Sequence, residues 1–272
     1  MAIITLSHSA FGGGREVANR AAAILDHQCI SREVLIEASR RYGIPEARYY
    51  EVLETEPRWW ERWIESLRLY RITLQAAMCE AAQEGRLVYH GHGGQELFPG
   101  VRHVLKVFLS APMEYRIEQV KARKGMDELA ARQYLKDLDK IRTRRLKALF
   151  GVDWRDPGRY DLVLNLSRMT IETAAHLVVE TAHRTEYQPD TESEQALQDL
   201  MVTARVQATL AVTPSTRHLN VRVESLNGEV RLYGILTESD LEQTVIDLIR
   251  SVPGVRSVES NLVSPPIEYI YP

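Results

Sequence analysis

The chain has 272 residues, which exceeds the usual size of one domain and predicts two. Its composition, 44% hydrophobic and 26% charged residues with a formal net charge of −3, is that of a folded globular protein and argues against disorder and a general affinity for nucleic acid. Its two cysteines, Cys29 and Cys79, have no CxxC spacing, so reduced thiols are favoured over a disulfide or a zinc site.

The start of the chain carries no basic segment followed by a long apolar run, as a secretory signal would. No later stretch approaches the roughly 20 apolar residues that a membrane-spanning helix needs. We therefore expect the protein in the cytoplasm.

Four short apolar runs rich in β-branched residues alternate with segments of helical periodicity. They cover residues 2–7, 86–91, 103–110 and 160–167. Strands that alternate with helices form parallel sheets covered on both faces. An α/β domain is therefore predicted over residues 1–182.

A glycine-rich stretch, SHSAFGGGREVANRAAAIL at residues 7–25, follows the first predicted strand and opens a helix. A phosphate loop of the form GxxxxGK followed by Ser or Thr binds phosphate with backbone N–H groups, the Lys and a hydroxyl that holds Mg²⁺. Here Gly14 stands at the Lys position and Glu16 at the hydroxyl position, which leaves Arg15 as the nearby cation. The predicted phosphate-binding backbone is that of Gly12, Gly13 and Gly14.

A long helical segment at residues 57–85 begins with proline, a residue typical of the first turn of a helix. Its tryptophans, Trp59, Trp60 and Trp63, suit two interpretations, packing or a subunit contact on one side and a base-stacking platform on the other. We favour packing or a subunit contact, because the apolar residues of this segment keep helical spacing.

Residues 113–147 form a charged helical pattern, and a solvated surface is the ordinary interpretation for most of these charges. Within it, DKIRTRR at residues 139–145 places Arg142 and Arg145 three residues apart and therefore on one helix face. The turn-rich DWRDPG that follows contributes Arg155. This pattern predicts a mobile arginine arm.

His90 and His92 lie two residues apart at the end of a predicted strand, so their side chains share a face. Metal binding by these two and Glu96 would need a carboxylate or cysteine at closer spacing to complete the set, and the sequence has none there. No metal site is therefore predicted.

The polar, acidic segment at residues 183–196 contains a proline and no apolar period, as linkers do. The segment that follows has the predicted order α-β-β-α-β, with Asn227-Gly228 between two alternating runs as a hairpin turn. A small α+β domain is therefore predicted at residues 197–264, with a tail at residues 265–272.

Residues 1 to about 182 resemble the cytidylate kinase-like branch of the nucleoside monophosphate kinases, within the P-loop superfamily. The resemblance rests on four stretches in order: ITLSHSAFGGGREVA, SREVLIEAS, LVYHGHGGQELFPGVRHVLKVFLSAPMEYRIEQV and DWRDPGRYDLVLNLSRMTIE. It implies a P-loop kinase-like parallel sheet flanked by helices. It also implies transfer of a phosphoryl group from ATP, with Mg²⁺, to CMP or a related monophosphate.

The same resemblance implies roles for individual residues. Arg15 would hold the donor phosphates together with the glycine loop, and Arg32 stands where the family holds the acceptor monophosphate. Arginines of the closing lid would bridge phosphate oxygens as charge spreads during transfer. The implied catalytic residues are Arg15, Arg142 and Arg145. The implied nucleotide-binding residues are Gly12, Gly13, Gly14, Arg32, His92 and Arg155.

Two departures from the family pattern introduce an alternative function. Relatives usually carry glycine where this chain has Phe11, and cytidylate kinases carry Gly-Arg-Asp where it reads Gly91-His92-Gly93. His92 supplies charge only when protonated, and an unperturbed imidazole is mostly neutral at neutral pH. We therefore interpret the chain first as an active nucleoside monophosphate kinase and second as a nucleotide-sensing module without turnover.

Residues 197–264, with LNGEVRLYGILTESDLEQTV and VPGVRSVESNLV, resemble a BON domain, a family associated with phospholipid or protein surfaces. The resemblance implies that this domain localises or regulates the kinase-like domain, or passes a nucleotide signal to a partner. The expected partners are therefore nucleotides and a protein or phospholipid surface, but no nucleic acid.

Overall fold

The computed structural model describes residues 1–31, 33–49, 60–236 and 241–263. Arg32, Trp59, the side chains of Trp60 and Trp63 and the predicted tail lie outside the described residues. The chain forms two compact units. The first comprises Met1–Glu33 and Ala81–Ser193, and the second the described parts of Val34–Glu80 and Glu194–Pro272.

The first unit is built on a five-stranded parallel sheet. Its strands are β1 (Ile3–His8), β2 (Gln28–Ile30), β3 (Leu87–His90), β4 (Val104–Ser110) and β5 (Leu162–Asn165), in the spatial order β2-β3-β1-β4-β5. Because the strands are parallel, their carboxyl ends meet at one edge of the sheet, where α/β proteins bind ligands. The α/β prediction is confirmed.

Helices connect and cover these strands. In chain order the described residues contain α1 (Gly14–Leu25), α2 (Glu33–Tyr42), α3 (Trp60–Ala81), α4 (Met113–Lys124), α5 (Glu128–Phe150), α6 (Ile171–Ala182), α7 (Thr191–Val212) and α8 (Leu241–Arg250). Helices α1 and α6 share a core with the sheet, and small buried residues such as Ala18, Ala21 and Ala174 allow close packing. None of the helices in the described part of the chain is long and apolar enough to span a bilayer.

Strand β2 is not covered by any of the four predicted apolar runs. It has three residues and, within the described ranges, pairs with β3 alone, with Gln28 opposite Leu87. An edge strand of this length needs no continuous apolar run, because one side of it is not covered by another strand. This is why its sequence carries little strand signal.

The two thiols are free, and they differ in exposure, Cys29 being half-buried and Cys79 buried. Burial raises the pKa of both thiols, to about 12 for Cys79. Both side chains are therefore protonated at neutral pH, which makes them weak nucleophiles.

The predicted linker at residues 183–196 contains a 3₁₀ turn at Thr185–Tyr187 and the start of α7. The amide of Ser193 donates to the carboxylate of Asp190 at 2.8 Å, and the amide of Asp190 donates to the Ser193 hydroxyl at 3.1 Å. These reciprocal bonds cap a helix N-terminus. The helix therefore begins at Thr191, before its predicted start at residue 197.

The second unit contains a three-stranded sheet of β6 (Arg222–Leu226), β7 (Glu229–Ile235) and β8 (Ser257–Val263), in the order β6-β7-β8. Strands β6 and β7 form an antiparallel hairpin, and β8 runs parallel to β7. Asn227 and Gly228 have positive φ angles of 52° and 80°, as the predicted two-residue turn requires. With α7 and α8, the predicted α-β-β-α-β order is confirmed.

Candidate active site

The loop between β1 and α1, with the first helical residue Gly14, is called the phosphate loop (residues 9–14). A Cβ atom on Gly12 would lie 2.9 Å from the carbonyl oxygen of Ser9, and one on Gly14 would lie 2.1 Å from Cγ of His8. Gly13 has a φ of 80°, which a side chain would strain. These glycines are therefore required by the tight path of the backbone at the carboxyl end of β1.

The phosphate loop presents amides at the start of α1. The sequence predicted that the Gly12 amide binds phosphate. In the structure this amide donates to the carbonyl oxygen of Ser9 at 3.0 Å, so Gly12 shapes the turn instead. Among the described residues, none accepts a hydrogen bond from the amides of Gly13, Gly14 and Arg15. N–H groups at a helix N-terminus, together with the helix dipole, favour a bound anion. The loop therefore fits a phosphate group.

Phe11 lies in this loop with a φ of 57°, a left-handed conformation that glycine adopts more easily. For a residue with a side chain this conformation costs about 1–2 kcal/mol. The ring of Phe11 packs edge-on against Tyr134 of α5, with the ring centroids 6.0 Å apart. Phe11 thus keeps a glycine-like backbone, and its side chain is held by the neighbouring helix.

Arg15 is an exposed cation in the first turn of α1. Its side chain forms no hydrogen bond or ion pair within the part of the chain that the structure describes. Burial lowers the pKa of His90, at the end of β3, and the charge of Arg15 lowers it further. Arg15 therefore lies exposed at the start of α1, beside the amides of the phosphate loop.

Arg116, on α4, is buried and holds the phosphate loop from behind. Its Nε donates to the carbonyl oxygen of Ala10 at 2.7 Å, and its terminal nitrogens donate to both carboxylate oxygens of Asp139 at 2.8 Å. The charged helical pattern predicts Arg116 on a solvated helix face, but the residue is only 5% exposed. The missed signal was its spacing, because Arg116 precedes the buried Val120 by four residues and shares its face.

Arg142, on α5, is buried as well, with 7% of its surface exposed. Its guanidinium donates to the carbonyl oxygen of His8 and lies 4.9 Å from the ring centroid of Trp154. Burial lowers the pKa of Arg142 to about 9, while the carboxylate of Asp139 opposes this shift. The structure thus brings Arg142 to the phosphate loop, but as an anchored side chain and not as part of a mobile arm.

A group of histidines surrounds the carboxyl ends of β1 and β3. The ring centroid of His8 lies 6.3 Å from that of His90 and 6.4 Å from that of His92. Burial lowers the pKa of His8 to about 4, and the charge of Arg142 contributes to the shift. The imidazole of His8 is therefore neutral at neutral pH.

The other two predicted arginines follow on α5 and after it. Arg145 is half-buried, and Arg155 is exposed and donates to the hydroxyl of Thr143 at 2.8 Å. The guanidinium of Arg155 also lies 5.5 Å from the ring centroid of Trp154, so this ring contacts both Arg142 and Arg155. Arg155 lines a cavity of about 420 Å³ beside α5 with Met113, Lys136, Asp139, Lys140, Thr143 and Arg144.

The three side chains weighed as metal ligands do not form a metal site in the structure. Both carboxylate oxygens of Glu96 accept hydrogen bonds from Arg159, at 2.8 and 2.5 Å. Within the described ranges, no group of three or more His, Cys, Asp or Glu side chains has the geometry to hold a metal ion. The predicted acceptor residue Arg32 lies outside these ranges, between Ser31 and Glu33.

Comparison with known proteins identifies two sequence families along the chain. The cytidylate kinase-like family matches residues 3–168, and the BON domain family matches residues 198–265. Over 97 residues the chain is 38% identical to a cytidylate kinase of Methanopyrus kandleri, a match that covers 33% of this chain and 50% of that enzyme. A cytidylate kinase of Pyrobaculum aerophilum is 24% identical over 178 residues, which cover 65% of this chain and 90% of the enzyme.

Among solved structures, an uncharacterized protein from Eubacterium ventriosum is similar in fold. The superposition has a TM-score of 0.52 at 19% sequence identity and covers 66% of this chain and 97% of that protein. At this identity the similarity supports the fold alone.

Proposed function

Since the chain belongs to the cytidylate kinase-like family and carries a BON domain, we propose that it transfers a phosphoryl group from ATP to CMP or a related monophosphate. The observation that carries this proposal is the set of unpaired amides of Gly13, Gly14 and Arg15 at the carboxyl edge of the parallel sheet. Phosphoryl transfer depends mainly on positioning and charge neutralisation, which such a cradle supplies.

In this proposal the phosphate loop binds the donor phosphates of ATP through these amides, with Arg15 as their first cation. Mg²⁺, when bound with the nucleotide, would neutralise part of the charge on the phosphates. The carboxylates beside the loop are engaged, Glu16 with Arg123 at 2.7 Å and Asp139 with Arg116. Oxygens of the nucleotide and water would therefore hold the ion, as is common for Mg²⁺.

The buried arginines contribute by holding the loop in shape. Arg116 and Arg142 bind the carbonyl oxygens of Ala10 and His8, which stiffens the peptide units that precede the free amides. A cradle that is already arranged needs no reorganisation when charge develops in the transition state. Arg142 therefore acts as a positioning residue, and Arg145 and Arg155 are the cations that we propose for the lid.

The acceptor monophosphate is assigned to Arg32 and His92. Arg32 directly precedes α2, at the position where the family holds the acceptor. His92 follows β3, close to His8 and therefore close to the phosphate loop. Because His92 replaces an arginine of cytidylate kinases, we expect weak acceptor binding that strengthens when this imidazole is protonated.

A second function is favoured by specific features of the loop. Phe11 occupies a glycine-like conformation, and the packing around Gly14 leaves no room for a lysine side chain. Arg142 is held by the carbonyl oxygen of His8 and is therefore not a mobile cation. A site of this kind would bind a nucleotide without transferring its phosphate. The BON domain would then pass the bound state to a protein or phospholipid surface.

An ADP-release assay separates the two functions. ATP, Mg²⁺ and a panel of nucleoside monophosphates are supplied to the full chain, and ATP and CMP binding is followed by calorimetry. Turnover that is lost in Arg15→Ala supports the kinase, with Arg20→Ala as the control, because Arg20 is an exposed residue of the same helix paired with Glu172. ATP binding without ADP release from any monophosphate supports the sensor instead.

The proposed role of the BON domain is localisation or regulation in the cytoplasm. Flotation with liposomes that contain anionic lipids tests the phospholipid surface, and co-sedimentation without liposomes tests a protein surface. The chain's small net charge of −3 favours weak lipid binding, because anionic membranes attract basic segments.

A further inference from the structure

Helix α7, the first helix of the BON domain, is buried on two faces. Val202, Val206 and Leu210 pack into the core of the BON sheet. Ala204 and Ala208, 1% and 0% exposed, pack instead against Ile72 and Ala76 of α3. Residues two positions apart on a helix are separated by about 200°, so these two sets lie on opposite faces. One rigid element thus contacts both the BON sheet and helix α3.

The contact between α7 and α3 combines small apolar side chains with complementary charge. Alanine side chains on both helices let the backbones approach each other. At one end of the contact, Nε of Arg205 donates to the carboxylate of Glu80 at 2.8 Å, and the Glu80 side chain is only 10% exposed. A second carboxylate oxygen of Glu80 pairs with Arg41 of α2. Glu80 therefore links α2, α3 and α7 through one buried charge.

A second link lies nearer the start of α3. The guanidinium of Arg68 donates to the main-chain carbonyl oxygens of Leu219 at 3.1 Å and Arg217 at 3.4 Å, in the segment that leads into β6. Helix α3 is thus attached to the BON domain at two points along its length. Tyr42 at the end of α2 packs on the same small core as Ile72 and Ala204.

We propose that the BON domain controls the acceptor side of the kinase-like domain, because α2 and α3 belong to the same compact unit as the BON domain. Helix α2 starts directly after Arg32, the residue assigned to the acceptor monophosphate, so this inference rests on the proposed function. A partner that shifts α7 also shifts α2 and α3, and so changes the affinity for the acceptor. By linkage, the bound acceptor changes the affinity for that partner by the same factor.

Hydrogen exchange on the full chain tests whether the BON domain holds the two helices. Glu80→Gln removes the shared charge with little change in shape, and we expect amides of α2 and α3 to exchange about tenfold faster or more. Strands β1 to β5 keep their wild-type rates. Glu37→Gln is the matched control, since it removes only an exposed partner of Arg41 at 3.8 Å. Ala208→Leu, which overpacks the α3 contact, is a second route to the same pattern.

Calorimetry with CMP and with a non-hydrolysable ATP analogue tests the effect on the acceptor. In Glu80→Gln and Ala208→Leu we expect CMP affinity to fall about tenfold and the affinity for the ATP analogue to stay within about twofold. Wild-type exchange rates in α2 and α3 of both variants, or unchanged CMP affinity despite faster exchange, would overturn the inference. A wild-type chain that binds no monophosphate would contradict the proposed function, and hydrogen exchange would still decide whether the BON domain holds α2 and α3.

Discussion

Arg142 donates a hydrogen bond to the main-chain carbonyl oxygen of His8, a residue 134 positions earlier, and so joins α5 to the end of β1. Arg116 makes the corresponding bond to Ala10, two residues further along the phosphate loop. Because a peptide unit is planar, holding its carbonyl also fixes the direction of the following amide. Two buried guanidinium groups thus set the shape of the phosphate loop without occupying its amides.

The first prediction concerns the buried pair of Arg116 and Asp139. Arg116→Met leaves the Asp139 carboxylate without its cation and Ala10 without its donor. We expect a loss of about 3–5 kcal/mol in the free energy of unfolding, measured with urea. Arg132→Met is the control, since Arg132 meets its carboxylates only at 3.5 and 3.7 Å and should change stability by about 1 kcal/mol or less. Equal losses in the two variants would contradict the structural role of the buried pair.

The second prediction concerns Arg142 and the ionisation of His8. Arg142→Met removes a positive charge that lowers the His8 pKa, so this pKa rises from about 4. It stays below the ordinary value, because burial is the larger cause and remains. An NMR titration of the His8 imidazole measures the shift. The proposed kinase turnover of Arg142→Met falls about 100-fold, since the phosphate loop loses an anchor. An unchanged His8 titration together with an unchanged turnover rate would exclude the coupling of Arg142 to the loop.

The third prediction is a pH dependence of stability from His8. The pKa of His8 is about 4 in the folded protein, against about 6.5 for an ordinary exposed imidazole, so the unfolded chain binds more protons in this interval. The full stability is therefore present above pH 6.5, and about 3 kcal/mol of it is lost as pH falls towards 4. The charge of Arg142 lowers the pKa of His8 further, and the charge of Glu16 raises it slightly.

Comparison of unfolding curves isolates this contribution from that of the carboxylates. His8→Gln has no imidazole to protonate, so its stability should fall less between pH 6.5 and 4 than that of the wild type. His176→Gln, an exposed histidine on α6, should follow the wild type over the same range. Parallel curves for His8→Gln and the wild type would show that His8 is not buried as a neutral group.

The fourth prediction is that restoring the missing lysine does not improve the site. In Gly14→Lys the new Cβ would lie 2.1 Å from Cγ of His8, so His8 or the loop must move. We expect a loss of about 3 kcal/mol in stability and no gain in ATP turnover. The double variant Gly14→Lys with His8→Gly should recover part of the stability, because both the ring and the Cβ of His8 that clash with the new side chain are gone. A Gly14→Lys chain as stable as the wild type would contradict the described packing.

The order of the elements was largely predictable from the sequence, because apolar periodicity and turn residues are local signals. This holds for the β-hairpin at Asn227-Gly228 and for the helix that opens at the glycine loop. Strand β2 was harder to recognise because it is a short edge strand. The start of α7 at Thr191 depended on a capping pair, Asp190 and Ser193, inside a polar segment that reads as a linker.

The sequence by itself determined the family of the chain, its two-part α/β and α+β architecture and the glycines that shape the phosphate loop, since these depend on short motifs and on local backbone geometry. Only the tertiary structure decided which arginines are buried. Arg116 and Arg142 look like their neighbours in a charged helical pattern, but folding brings each a partner far away in the chain, the carbonyl oxygens of Ala10 and His8. The physical reason is that a guanidinium is retained inside a protein only where folding brings it a carbonyl or a carboxylate.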